Sequence, residues 1–177
     1  MFHAYDVKVS KKIQEVFSGR RGPKYGDKWH KMFWEISSSK GAFVYAVIML
    51  ALLLFLQDHR VFIWLIPVLV TAITTVILQA IVKRPRPQET KTPYKPIVPT
   101  YSFPSNHAGS SFAVATSLSY AFLESSFELA WIFVIGFFLL AVVISLSRIV
   151  VGVHYAGDVL AGAFLGTFVS LLMFGLS

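Results

Sequence analysis

Residues 147–158, reading SRIVVGVHYAGD, place His154 and Asp158 four positions apart. If the last helix begins near His154, the two side chains stack on one face and the carboxylate can accept the imidazole Nδ1 proton. Nε2 then keeps its lone pair and points outward, which makes it a nucleophile or a base. The carboxylate also steadies the cation that attack creates. An isolated pair of this kind is as well suited to a structural hydrogen bond or to half of a metal site, so its surroundings decide. Asp158 falls inside an apolar run, where an unpaired charge costs about 2.5 to 3.5 kcal/mol. It therefore needs a partner.

Two further stretches supply such surroundings. In residues 103–111, FPSNHAGSS, Ser105 or Asn106 suits a helix N-cap, and the free backbone N–H groups of a helix start cradle phosphate, with His107 beside them. In residues 83–87, KRPRP, three cations are held by two prolines that fix an extended backbone. Guanidinium groups suit bidentate capture of phosphate oxygens. Cations of this density around a shared pocket repel a divalent metal and attract an anion. His3, His30 and His59 have no partner pattern, and Lys91 and Lys95 read as solvated loop charges.

The elements that must position these groups lie in a bilayer. Of the 177 residues 55% are hydrophobic and only 14% are charged, too apolar for an ordinary soluble domain. The absence of cysteine excludes disulfides and thiolate metal sites, and the net charge of +7 suits anionic lipid headgroups better than nucleic acid. A membrane span needs roughly 20 apolar residues, and five stretches qualify: 41–56, 61–82, 112–123 extended back towards Asn106, 129–147 and 156–176. Pro67 and Gly136 fall inside spans and need no functional reason. Gly157, Gly162 and Gly166 read as close helix packing in lipid.

Before the spans, Phe2, Tyr5, Val9, Ile13 and Val16 recur at three- or four-residue steps opposite Lys8, Lys11, Lys12 and Glu15, and Trp29, Met32, Phe33 and Ile36 repeat the pattern. These predict amphipathic interfacial helices without the continuous apolar core of a signal peptide. The fold class is thus an all-α, multi-pass membrane bundle of about five spans. The chain reads as one domain over 1–177, with a basic interfacial segment at 1–40 and a transmembrane core at 41–177. Span parity puts the N-terminal segment and the intervals carrying all three chemical stretches on one side, which holds 15 of the 16 Lys and Arg residues.

Together the three stretches resemble the type 2 phosphatidic acid phosphatase family, the lipid-phosphatase branch of a superfamily that includes vanadium haloperoxidases. Its signature is K-x6-R-P, P-S-G-H and S-R-x5-H-x3-D. Ser147, Arg148, His154 and Asp158 match the third part; Pro104, Ser105 and His107 match the second, with Asn106 in place of glycine. Arg86 and Pro87 match the first, with Gln79 where the lysine stands. The resemblance implies that His154 attacks phosphorus, that Asp158 orients it, and that His107 protonates the leaving oxygen and then activates water. Arg86, Arg148, Ser105 and the Asn106–His107 backbone would hold the phosphoryl oxygens, with no metal and no cofactor. Lys83, one helical turn beyond Gln79, is the first candidate for the missing cation and Arg84 the second.

By family analogy the substrate ranks as undecaprenyl pyrophosphate, then phosphatidylglycerol phosphate and lipid A 1-phosphate. The alternatives are a phosphatase of small soluble esters and a non-enzymatic transporter; the latter is disfavoured because ionisable residues cluster at one face and no inverted repeat is visible. The expected location is a bacterial cytoplasmic membrane. Family resemblance puts the active site on the extracytoplasmic side, whereas the positive-inside rule puts it on the cytoplasmic side. The sequence specifies no oligomeric state.

Overall fold

The computed structural model describes residues 2–18, 28–37, 61–87, 101–125 and 128–175. Six helices run through them: α1 (Phe2–Ser18), α2 (Lys28–Ser37), α3 (Val61–Val82), α4 (Asn106–Glu124), α5 (Ala130–Val150) and α6 (Ala156–Gly175). No strand occurs among the described residues, so the all-helical bundle expected from hydropathy is the observed architecture. The expected span at 41–56 lies outside the described residues, as do His59, Lys91 and Lys95.

Of the four spanning candidates described, α3, α5 and α6 are long and apolar enough to cross a membrane. Their large side chains point outward: Leu69, Ile73 and Ile77 on α3, Trp131, Ile135 and Leu139 on α5, and Phe164 and Phe168 on α6 are all exposed. That is the arrangement expected when lipid, not water, is the solvent. By contrast α4 is rich in Ser and Ala, and Ser111, Thr116, Ser117 and Ser119 are buried on it. It packs against α3, α5 and α6, where its small residues allow close approach and Val114, Leu118 and Phe122 fill the core.

Close approach of backbones fixes the centre of the bundle. A Cβ placed on Gly166 would lie 2.1 Å from the carbonyl oxygen of Gly109, and one on Gly162 would lie 2.4 Å from that of Ser105. Only glycine permits α4 and α6 to meet at this separation. The reading of these two glycines as packing positions therefore agrees with the structure. Gly157 differs, because a Cβ there would lie 2.8 Å from the Asp6 carboxylate, a partner on α1. On α3, Thr71, Thr75 and Gln79 form an inward polar stripe at four-residue steps; Thr71 and Thr75 are fully buried, and the Gln79 amide donates to the Pro104 carbonyl at 2.9 Å.

Helix α1 packs on protein. Val9 and Ile13 sit against Ala108, Ile149, Ala156 and Val159, and Phe17 packs edge-on against Phe33 of α2 at 5.2 Å. Tyr5 and Val16, assigned to the apolar face by periodicity, are instead 68% and 76% exposed. What the helix also buries is polar. Asp6, Ser10 and Gln14, again at four-residue steps, point into the bundle, and the Gln14 amide donates to the Ile149 carbonyl at 2.9 Å.

Candidate active site

The ends of α3 and α5 and the starts of α4 and α6 converge at one end of the bundle. Helix α3 stops at Lys83, whose φ of 51° puts it in the left-handed region while its N–H still bonds the Gln79 carbonyl at 3.0 Å. The next residues leave in a new direction. Ser102 ties the 101–105 turn back to them: its N–H donates to the Arg84 carbonyl at 2.8 Å and its hydroxyl to the Pro85 carbonyl at 3.0 Å. Ser105 then caps α4, its hydroxyl oxygen accepting from the Ala108 N–H. Its own N–H donates to the Asp158 carbonyl at 2.9 Å, so α4 and α6 begin at the same place.

Helix α5 ends in a Schellman turn. Gly152, at φ 80°, donates to the Ile149 carbonyl at 3.0 Å and Val153 donates to the Arg148 carbonyl at 3.1 Å. This reversal brings Arg148, in the last turn of α5, beside His154 and the start of α6. Tyr155 is the N-cap of α6, and Asp158 at the third helical position reaches back so that Oδ2 accepts the Tyr155 N–H at 2.9 Å.

His154 therefore precedes α6 instead of opening it, and the helical stacking expected of the His154–Asp158 pair does not occur. Nδ1 of His154 bonds the carbonyl oxygen of Ser102 at 2.8 Å, whereas Asp158 Oδ2 lies 3.8 Å away, beyond hydrogen-bond range. A carbonyl can only accept, so Nδ1 carries the proton and the neutral ring keeps its lone pair on Nε2. The Nδ1 proton expected to bond Asp158 thus has a different acceptor. Burial pushes the His154 pKa below 6.5; Asp158 opposes this, while the Arg148 and Arg86 charges reinforce it.

Asp158 has other partners. Its Oδ1 accepts from Arg84 Nη1 at 2.6 Å, and Arg84 Nη2 reaches Asp6 Oδ2 on α1 at 2.7 Å. The guanidinium lies 4.3 Å from the centre of the Tyr155 ring and 3.2 Å from His3 Nδ1. Arg84, the second candidate for the missing cation, is thus engaged by two carboxylates. The left-handed turn at Lys83 takes it off the helical face it was expected to share with Gln79, and its side chain is exposed. His3, read as having no partner, has one in Arg84, and it packs edge-on against Tyr155 at 5.4 Å.

The remaining candidates lie around the same loops. Arg86 is half-buried; burial lowers its pKa and the Asp158 charge raises it, though a guanidinium remains protonated regardless. Asn106 and His107 form the first turn of α4, next to Ser105, and the Ser111 hydroxyl donates to the His107 carbonyl. Beside the cluster opens a cleft of about 390 Å³, lined by His3, Lys11, Arg86, Gly152 and Tyr155 among others. Among the described residues no three His, Asp or Glu side chains form a metal-binding group.

Two contributors escaped the sequence reading. Ser102 acts through its backbone carbonyl, which no residue type announces. Asp6 left a faint trace in the Asp6–Ser10–Gln14 spacing, a polar stripe along one edge of an amphipathic helix.

Residues 60–177 match the family model of the PAP2 superfamily. Two solved structures share the fold. The first transmembrane PAP2-type phosphatidylglycerolphosphate phosphatase from Bacillus subtilis is 21% identical over 99% of this chain and 85% of its own, with a TM-score of 0.76. Aquifex aeolicus LpxE is 21% identical over 96% of this chain and 94% of its own, with a TM-score of 0.68. No curated protein matches the sequence.

Proposed function

The chain belongs to the PAP2 superfamily as an integral membrane protein, and on that premise we propose that it hydrolyses a lipid phosphate or diphosphate through a phosphohistidine. The observation that carries this reading is the buried His154 ring, held by the Ser102 carbonyl with Nε2 lone-paired, in the electrostatic reach of Arg148 and Arg86.

The chemistry follows from those positions. Nε2 of His154 donates its lone pair to phosphorus while the bond to the leaving oxygen breaks, and His107 supplies the proton that oxygen requires. The imidazolium so formed is stabilised by the Asp158 carboxylate 3.8 Å from Nδ1. His107, now neutral, takes a proton from water as the water oxygen attacks phosphorus; the P–N bond breaks, returning the lone pair to Nε2 and releasing phosphate. Arg86 and Arg148 hold the phosphoryl oxygens, with Ser105 and the backbone of Asn106 and His107 at the start of α4, and offset charge developing in the transition state. Gln79 serves by fixing the Pro104 carbonyl and hence the turn that leads into Ser105.

A lipid is favoured over a soluble ester because the cluster sits at the ends of helices whose outer faces meet the bilayer, so a substrate anchored there is already at the site. Undecaprenyl pyrophosphate, phosphatidylglycerol phosphate and lipid A 1-phosphate are the classes to compare. The Bacillus subtilis fold neighbour bears the name of a phosphatase for the second. Purified protein in detergent, given each lipid with and without EDTA, should release phosphate in both conditions and lose that activity in His154→Ala. A requirement for added divalent metal, or activity surviving that substitution, defeats the mechanism. Faster hydrolysis of soluble esters defeats the substrate class.

A further inference from the structure

The N-terminal helix α1 lies outside the 60–177 stretch that the family model matches, yet it supplies two polar contacts to the start of α6 and a third to Arg84. Gly157 N–H donates to Asp6 Oδ1 at 2.8 Å and Ala156 N–H donates to Ser10 Oγ at 2.9 Å. These are two of the N–H groups that any helix start leaves without an intrahelical acceptor. The third contact is electrostatic: Asp6 Oδ2 holds Arg84 at 2.7 Å, and the other arm of the same guanidinium holds Asp158 at 2.6 Å. Asp6 is only 4% exposed and Asp158 fully buried, so neither carboxylate has water as an alternative partner.

We infer that Asp6 is a positioning residue for the hydrolytic reaction: by sharing Arg84 with Asp158 and anchoring the α6 N-terminus, it sets the place and the effective charge of the carboxylate beside His154. One guanidinium divided between two carboxylates neutralises Asp158 only in part. The remaining negative charge faces the imidazole that must become cationic on attack. If Asp6 loses its charge, Arg84 turns wholly to Asp158, and the field that favours the imidazolium weakens. The charged groups acting on His154 are Asp158 on α6, Arg148 on α5 and Arg86 in the segment after α3; Arg84 reaches it through Asp158, with Asp6 and His3 on α1 bound to Arg84 in turn. Of these only Asp6 is changed by the test.

This inference rests on the phosphatase reading, and the experiment separates the two. If wild-type protein in detergent releases no phosphate from any of the three lipids, that reading fails and the role of Asp6 fails with it. If wild type is active, Asp6→Asn is expected to lower kcat by about 10- to 100-fold, as small misplacements near a reacting group do, with KM within about twofold of wild type. The acid limb of its kcat profile should move to lower pH, because a more positive surrounding disfavours the imidazolium. Asp6→Glu, which keeps the charge, should recover most of the loss. Ser10→Ala removes the neighbouring cap without altering charge and should lower thermal stability while leaving kcat within about twofold. Should Asp6→Asn fail to fold, Gly157→Ala, whose Cβ displaces the Asp6 carboxylate while retaining every charge, must show the same loss of kcat at constant KM. An unchanged kcat and pH profile in a folded Asp6→Asn protein overturns the proposal, as does an equal loss of kcat in Ser10→Ala.

Discussion

The His154 ring takes its orientation from the backbone of Ser102, 2.8 Å from Nδ1, and not from Asp158, which stands 3.8 Å away. Ser102 in turn is fixed by the carbonyls of Arg84 and Pro85. The segment bearing the cations and the ring proposed as nucleophile are therefore parts of one hydrogen-bonded unit. Asp158 is left to cap its own helix and to carry charge.

A first prediction concerns pH. The proposed mechanism needs neutral His154, whose pKa is pushed below 6.5 by burial, so the acid limb assigned to it in kcat/KM should fall below pH 6.5. The same shift has a consequence for folding. Below pH 6.5 the unfolded chain binds a proton at His154 that the folded chain still excludes, so this contribution to stability is intact above 6.5 and is lost as pH falls through the lowered pKa. A limb above 6.5 that vanishes in His154→Ala would contradict this.

The hydroxyl of Ser102 and its carbonyl have separable roles. Ser102→Ala removes only the hydroxyl bonds to the Arg84 and Pro85 carbonyls and should cost about 1 kcal/mol in a denaturation experiment. Because the backbone acceptor of His154 remains, activity should stay within about tenfold of wild type. Complete inactivation of a folded protein would show that the hydroxyl itself takes part.

Lys83 and Arg84 should behave in opposite ways. Lys83→Ala is expected to leave activity within about twofold, and Lys83→Gly to raise stability by up to about 1 kcal/mol by relieving the left-handed backbone. Arg84→Ala leaves two buried carboxylates without their shared cation and should destabilise by about 3 to 5 kcal/mol. Gln79→Ala frees the Pro104 carbonyl and should reduce kcat more than Lys83→Ala does. The reverse order in steady-state kinetics would return the role of the missing lysine to Lys83.

Glycines in the packed seam should be intolerant of any side chain. Gly166→Ala and Gly162→Ala each force a methyl into a backbone oxygen at 2.1 or 2.4 Å, and should cost about 3 kcal/mol or more. Gly136→Ala, where nothing lies within 4 Å of the added Cβ, should not destabilise. Thermal unfolding in detergent distinguishes them; equal midpoints for all three would refute the close approach of α4 and α6.

Much of this molecule is written in local pattern. Apolar runs of span length required helices in a bilayer, and the described spans fall where hydropathy placed them, because burial of backbone polar groups in lipid leaves few alternatives. The types and spacing of His154, Asp158, Arg148, His107 and Arg86 carried the resemblance, since a phosphoryl site needs imidazoles and guanidinium groups whatever holds them. Gly162 and Gly166 announced close packing through size alone.

What the sequence could not state is which atom meets which. Four-residue spacing implied a helical His154–Asp158 pair, but the Schellman turn at Gly152 delays the helix start to Ala156 and hands the imidazole to a backbone carbonyl 52 residues earlier. Lys83 looked like a continuation of α3 until its left-handed backbone turned the chain and delivered Arg84. Asp6 lies 152 residues from Asp158, and only docking of α1 brings both to one guanidinium. Periodicity reports the faces of single helices; the choice among hydrogen-bond acceptors is made when distant segments pack, by desolvation that leaves each buried polar group dependent on whichever partner the fold brings within reach.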